Sequence, residues 1–146
     1  MIAHIAGEQH RYRLVMAAFS ERGGRGSNED RLGMTDLGTR GFCCVLSDGA
    51  GGHGNGALAA RLTVDSVLSG FRDNPLFAPA GMASLISLAE HTVSVEQPTS
   101  VSRKHMSATV VLLCIEPTMG RALWAHWGDS RLYWFRQGRV HRITAD

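Results

Sequence analysis

Nothing in the 146-residue sequence approaches the run of about 18 apolar residues that a membrane-spanning helix needs. The opening MIAHIAGEQHRYRL also lacks a basic segment followed by an apolar one, so no secretory leader is expected. Excess charge of one sign is missing too: 15 basic and 13 acidic residues leave a formal +2, and the basic residues are scattered, which argues against a nucleic-acid footprint. A soluble, cytoplasmic protein with neither nucleic acid nor membrane as partner is the expectation. Cysteine is scarce. Cys43, Cys44 and Cys114 all lie in apolar, strand-like runs, and neighbours on a strand point to opposite faces, so Cys43 and Cys44 do not suit one metal and read as buried free thiols. No HExxH, CxxC or spaced histidine cluster is present, which disfavours zinc, and neither GxSxG nor GxxxxGK[ST] occurs. The glycine-rich stretch therefore lacks the lysine of a nucleotide-binding P-loop. His126 sits inside an apolar strand run and reads as a structural imidazole.

What is present suits one domain over residues 1–146, since 44% apolar composition and this length support a single real core. Tyr12 to Phe19 reads as a first strand, followed by a loop, SERGGRGSNEDRLG. Gly41 to Asp48 (GFCCVLSD) is apolar on both faces, as befits a strand covered on both sides. Ala57, Ala60, Val64, Val67, Leu68 and Phe71 recur at steps of three and four, predicting a helix that ends near Gly70 to Pro75. Met82, Leu85, Ile86, Ala89 and Val93 predict a second, from about Ala80 to Val95. EQPTSVSRKHM reads as a connecting loop. Strands are then expected at Ala108 to Ile115, Ala122 to Trp127, Arg131 to Arg136 and Val140 to Ile143, as an antiparallel meander. That order argues for a layered α+β domain rather than alternating βαβ units.

Three stretches bear on chemistry. In VLSDGAGGHGNG an apolar strand ends on Asp48, and glycines follow. A carboxylate at the rim of a core needs a cation or hydrogen bonds, and Mg²⁺ or Mn²⁺ with its preference for oxygen is one such partner. Asp48 as the cap of the following helix is the equally simple alternative. In RGSNEDR, Glu29 and Asp30 offer ligands and Arg25 a bidentate phosphate grip, although a solvated loop is the plainer account of such a run. In WGDSR, Asp129 alone reads as an ordinary turn residue.

Together, RGSNEDR, VLSDGAGGHGNG before a helix, SATVVLLCI and AHWGDSRLYWFRQGRVHRITAD resemble, in order and over nearly the whole chain, the metal-dependent serine/threonine protein phosphatases of type 2C, the PPM family. The resemblance implies an αββα sandwich of two antiparallel sheets flanked by helices. It implies that Asp48 bridges two Mn²⁺ or Mg²⁺ ions and that the Gly49 carbonyl ligates one. Glu29 matches an acid on the second ion, Asp30 one that acts through metal-bound water, and Asp129 an acid of a third, weaker metal position. Arg25 matches the arginine that binds the substrate phosphate. The implied reaction is removal of phosphate from phosphoserine or phosphothreonine in proteins by attack of a metal-bridging water. A phosphoprotein substrate and a paired Ser/Thr kinase are the implied partners.

Two departures stand out. Some members carry a histidine directly after the Asp-Gly pair, where this chain has Ala50, so His53 is the nearest candidate for the general acid. The family pattern also continues past ITAD to further metal-binding aspartates, which this sequence does not contain. The expectation is the N-terminal part of a phosphatase domain, incomplete at its C-terminus, which binds Mn²⁺ weakly and hydrolyses p-nitrophenyl phosphate poorly alone. The rival reading is a non-catalytic phosphoprotein-binding or regulatory module on the same scaffold. A nucleotide-binding domain stands behind both.

Overall fold

The computed structural model of the chain describes residues 2–5, 14–50, 55–97 and 106–145. In chain order its elements are β1 (Ile2–Ile5), β2 (Leu14–Ala17), β3 (Asp30–Asp36), β4 (Phe42–Ala50), α1 (Asn55–Asp73), α2 (Pro79–Val95), β5 (Ser107–Ala108), β6 (Val110–Glu116), β7 (Arg121–Trp127), β8 (Tyr133–Arg136) and β9 (Arg139–Ile143). The central antiparallel sheet runs β3-β4-β6-β7, with β5 pairing the distal end of β4. β1 with β2, and β8 with β9, form separate two-stranded sheets. Tyr12, part of the expected first strand, and most of the expected loop before Met106 lie outside the described residues.

Both helices follow from their apolar stripes. On α1 the buried residues are Gly56, Ala59, Ala60, Thr63, Val64, Val67, Leu68 and Phe71, which is one continuous helical face. The helix stops just before Asn74 and Pro75, where proline cannot continue a helical hydrogen-bond ladder. On α2, Pro79 takes an early position that needs no donor, and Met82, Leu85, Ala89 and Val93 face inward. These stripes pack on the side chains that β4 and β6 send to the same face: Cys43, Val45, Val110, Leu112 and Cys114. Full burial of a side chain such as Leu112 or Phe71 stabilises the fold by about 1.5–3 kcal/mol each.

β3 (Asp30–Asp36) departs from expectation, since its first four residues, Asp30 to Gly33, fall in the expected loop SERGGRGSNEDRLG. Its alternation is weak because only Leu32 and Met34 mark one face, while the other carries Gly33. That glycine is where α1 comes down on the sheet: a Cβ there would stand 2.6 Å from Val64 Cγ1 and 2.8 Å from Leu68 Cδ1. Pairing with β4 over seven positions, from Asp30↔Asp48 to Asp36↔Phe42, supplies the order that local propensity does not.

The expected meander is interrupted. β7 ends at Trp127, and β8 begins a hairpin that leaves the central sheet and lies over its other face at the β7 edge. There Trp134 meets Trp124, with ring centroids 6.3 Å apart, and the His126 ring nitrogen Nε2 is 2.8 Å from the Ala145 carbonyl oxygen. The fold is thus α+β: helices, then an antiparallel sheet, then the start of a second strand layer, in the order of a layered sandwich. The second helical layer of an αββα arrangement is not formed by the described residues. Among those residues, no helix is long and apolar enough to cross a membrane.

Candidate metal and phosphate site

The β3–β4 register sets Asp30 directly opposite Asp48, on the sheet face away from the helices. Asp48 is held by its main chain. Its N–H donates to Thr109 Oγ1 at 2.9 Å, and its carbonyl accepts from the Thr109 N–H at 2.9 Å. Upstream, the Asn28 side-chain oxygen accepts from the Asp30 N–H at 3.0 Å while its Nδ2 donates to Ser20 Oγ at 2.9 Å, which shapes the loop that delivers Asp30.

Charge converges on Asp48. Burial raises its carboxyl above the usual carboxylate range, and the neighbouring Asp30 raises it further, by charge and by hydrogen bonding. Arg25 opposes the rise, and Asp129 adds to it. Three expected residues from two other segments, Arg25 with Asp30, and Asp129, are thereby within electrostatic reach of the Asp48 carboxylate. Asp129 arrives because the loop after β7 is tied back, Ser130 Oγ lying 2.7 Å from Thr109 Oγ1.

Glu29 goes elsewhere. Its carboxylate lies against Gly56 in the first turn of α1, where a Cβ would stand 2.8 Å from Glu29 Cδ. An anion at a helix N-terminus is favourable in its own right. The Glu29 carbonyl accepts the Gly49 N–H at 3.2 Å, and the Gly49 carbonyl faces Gly56 so closely that neither glycine has room for a side chain. Gly49 thus lets the strand end and the helix start meet. His53 lies outside the described residues. His126 is engaged with the Ala145 carbonyl, as a structural imidazole would be.

A family model settles the kinship. That of "Protein phosphatase 2C" matches residues 21–146. The chain belongs to the protein phosphatase 2C family. Among solved structures, the "S. agalactiae serine/threonine phosphatase" is similar at 26% identity and a TM-score of 0.68, over 84% of this chain and 51% of that one. The "Mycobacterium tuberculosis serine/threonine phosphatase PstP/Ppp" shares the fold at 24% identity and a TM-score of 0.68, over 84% of this chain and 49% of that one. The chain thus spans about half the length of the phosphatases it resembles. No curated protein matches it.

The donors present in this protein phosphatase 2C chain suit a hard divalent cation. They are carboxylate oxygens and a backbone carbonyl, and the crowding that raises the Asp48 carboxyl is a penalty that a cation removes. Among the described residues no group of three or more His, Cys, Asp or Glu is gathered tightly enough to hold a metal ion. Sequence reasoning missed Thr109, Ser130 and Asn28. The only trace of Thr109 is a β-branched hydroxyl residue in an apolar strand run.

Proposed function

We propose that the chain belongs to the catalytic part of a metal-dependent phosphomonoester hydrolase that removes phosphate from phosphoserine and phosphothreonine in cytoplasmic proteins, opposing a Ser/Thr kinase. The observation that supports it best is the crowding of Asp48 by Asp30 and Asp129, with Arg25 beside them. Asp48, Asp30, Asp129 and the Gly49 carbonyl would hold the cations, two Mn²⁺ or Mg²⁺ with a third weaker one, and Glu29 would join them only by leaving the first turn of α1. When bound, such cations supply Lewis acidity and lower the pKa of water to the neutral range. Arg25 would hold the phosphate, since its planar fork matches two phosphoryl oxygens at once. The hydrogen-bonded strand end would hold the Asp48 main chain in place before substrate arrives, so less reorganisation would be left to the reaction. His53 is the proposed proton donor to the leaving alkoxide.

A second reading, a non-catalytic phosphoprotein-binding module, draws on the absence of a closed ligand set among the described residues. Phosphate release from a phosphothreonine peptide, with and without Mn²⁺, separates the two. Slow, strictly Mn²⁺-dependent release that Asp48→Asn abolishes is the expected result. Peptide binding with no release at any Mn²⁺ concentration favours the binding module.

A further inference from the structure

The pairings on either side, Leu46↔Val111 and Gly49↔Ala108, set Thr109 directly opposite Asp48 in the strand ladder. In a regular antiparallel ladder the Asp48 N–H would donate to the Thr109 carbonyl. Here it donates instead to the Thr109 hydroxyl, and the freed carbonyl accepts from Ser47 Oγ at 2.6 Å. The swap leaves Thr109 between β5 and β6 as the one residue outside either strand. It also leaves Thr109 Oγ1 bonded in two directions, to the Asp48 main chain at 2.9 Å and to Ser130 at 2.7 Å, next to Asp129. The methyl group completes the clasp: a Cβ on Gly128 would stand 2.8 Å from Thr109 Cγ2, so the loop carrying Asp129 lies directly on this residue.

We propose that Thr109 is a positioning residue whose hydroxyl couples the strand end bearing Asp48 to the loop bearing Asp129, so that both acids are presented to a divalent cation together. The inference rests on the metal-binding reading above and extends it to a residue that touches neither cation nor substrate. A single hydroxyl is enough for this coupling. With one hydrogen and two lone pairs it bonds the Asp48 N–H and the Ser130 hydroxyl at once, which valine, of the same shape, cannot do. Losing a supporting group of this kind costs metal sites about 10–100-fold in affinity.

The test compares Thr109→Val and Thr109→Ser with the unaltered chain in two measurements: Mn²⁺ titration by calorimetry, and amide NMR of the Mn²⁺-free chain. Thr109→Val is expected to bind Mn²⁺ at least about tenfold more weakly and Thr109→Ser within about twofold of the unaltered chain. Thr109→Val should also shift the amide signals of both residues 47–49 and residues 128–131. Unchanged Mn²⁺ affinity in Thr109→Val overturns the proposal, as does equal weakening in Thr109→Ser, which would assign the effect to packing. If the unaltered chain takes up no Mn²⁺, the metal reading fails by itself and the amide signals decide the coupling. Shifts in both segments uphold it, and shifts confined to 47–49 overturn it. Should Thr109→Val not fold, Ser130→Ala cuts only the outer link: a moved Asp48 amide upholds the coupling, and an unmoved one overturns it.

Discussion

The two faces of the central sheet are finished differently. Toward α1 and α2, Cys43, Val45, Leu112 and Cys114 are each at most 3% exposed. On the other face, Phe42 and Val111 are buried, but Cys44, Leu113, Leu32 and Met34 are only half-buried and Leu46 keeps 44% of its surface. The β8–β9 hairpin covers that face only near β7, and it carries Tyr133, Phe135, Val140 and Ile143 exposed. Cohesion therefore comes mainly from the helix side, whereas the acids stand at the end of the open side. The exposure of Asp30 and Asp129 is what makes the group tolerable without a cation, because water still screens them from the half-buried Asp48.

The largest expected effect follows from that asymmetry. Leu112→Ala, a truncation at a fully buried site, is expected to lower unfolding free energy by about 2–5 kcal/mol in urea titration. Leu46→Ala, one register step away on the neighbouring strand but on the open face, is expected to cost about 0.5 kcal/mol. Equal losses would break the comparison, since they would mean that the second face is covered in solution, for instance by another copy of the chain.

The same asymmetry decides what could be read from the sequence. Both helices were legible because a stripe at steps of three and four needs only local residues, and β4 because its run is apolar on both faces. β3 was not, because Gly33 replaces an apolar residue on the one face that α1 covers, a requirement set by a helix more than twenty residues later. Among the acids, Asp48 was marked by its place at a strand end. Its pairing with Asp30 depends on the β3–β4 register, and the departure of Glu29 to α1 on which way a single residue points. The hydroxyl-for-carbonyl exchange at Thr109 arises only when β4 and β6 lie side by side, so no local pattern encodes it.

A smaller effect sharpens the comparison at the acid end. The folded-state pKa of Asp48 is raised, by burial first and then by Asp30. The cost of its charge is thus fully felt above that pKa and is relieved as pH falls through it toward the unfolded value of about 3.9. Asp48→Asn should therefore stabilise the metal-free chain near neutral pH by under about 1 kcal/mol after allowance for solvent screening, or up to about 4 °C in Tm. It should also flatten the gain in stability on mild acidification and remove the rise in Tm on adding Mn²⁺. Melting curves with and without EDTA read all three. A destabilised Asp48→Asn would mean that the carboxylate is needed for folding, and the reading of a site crowded in readiness for a cation would go with it.

The finest probe uses neighbours one residue apart. Cys43 points to the helices and Cys44 to the open face, so the two thiols report the two environments from one strand. The Cys114 thiol opposite Cys43, and then burial, keep Cys43 protonated, while burial pushes Cys44 up to about 11. Cys44 is therefore slow but reachable: at pH 8.5 a small fraction is thiolate, and each further pH unit below 11 should raise its alkylation rate about tenfold. Iodoacetamide followed by peptide mass spectrometry should place the first label of the native chain on Cys44, with Cys43 and Cys114 reacting only once urea unfolds the helix side. Label on Cys43 at the same rate as on Cys44 would show that the helix layer opens as readily as the uncovered face. The division of labour between the faces would then belong to the static fold and not to its fluctuations.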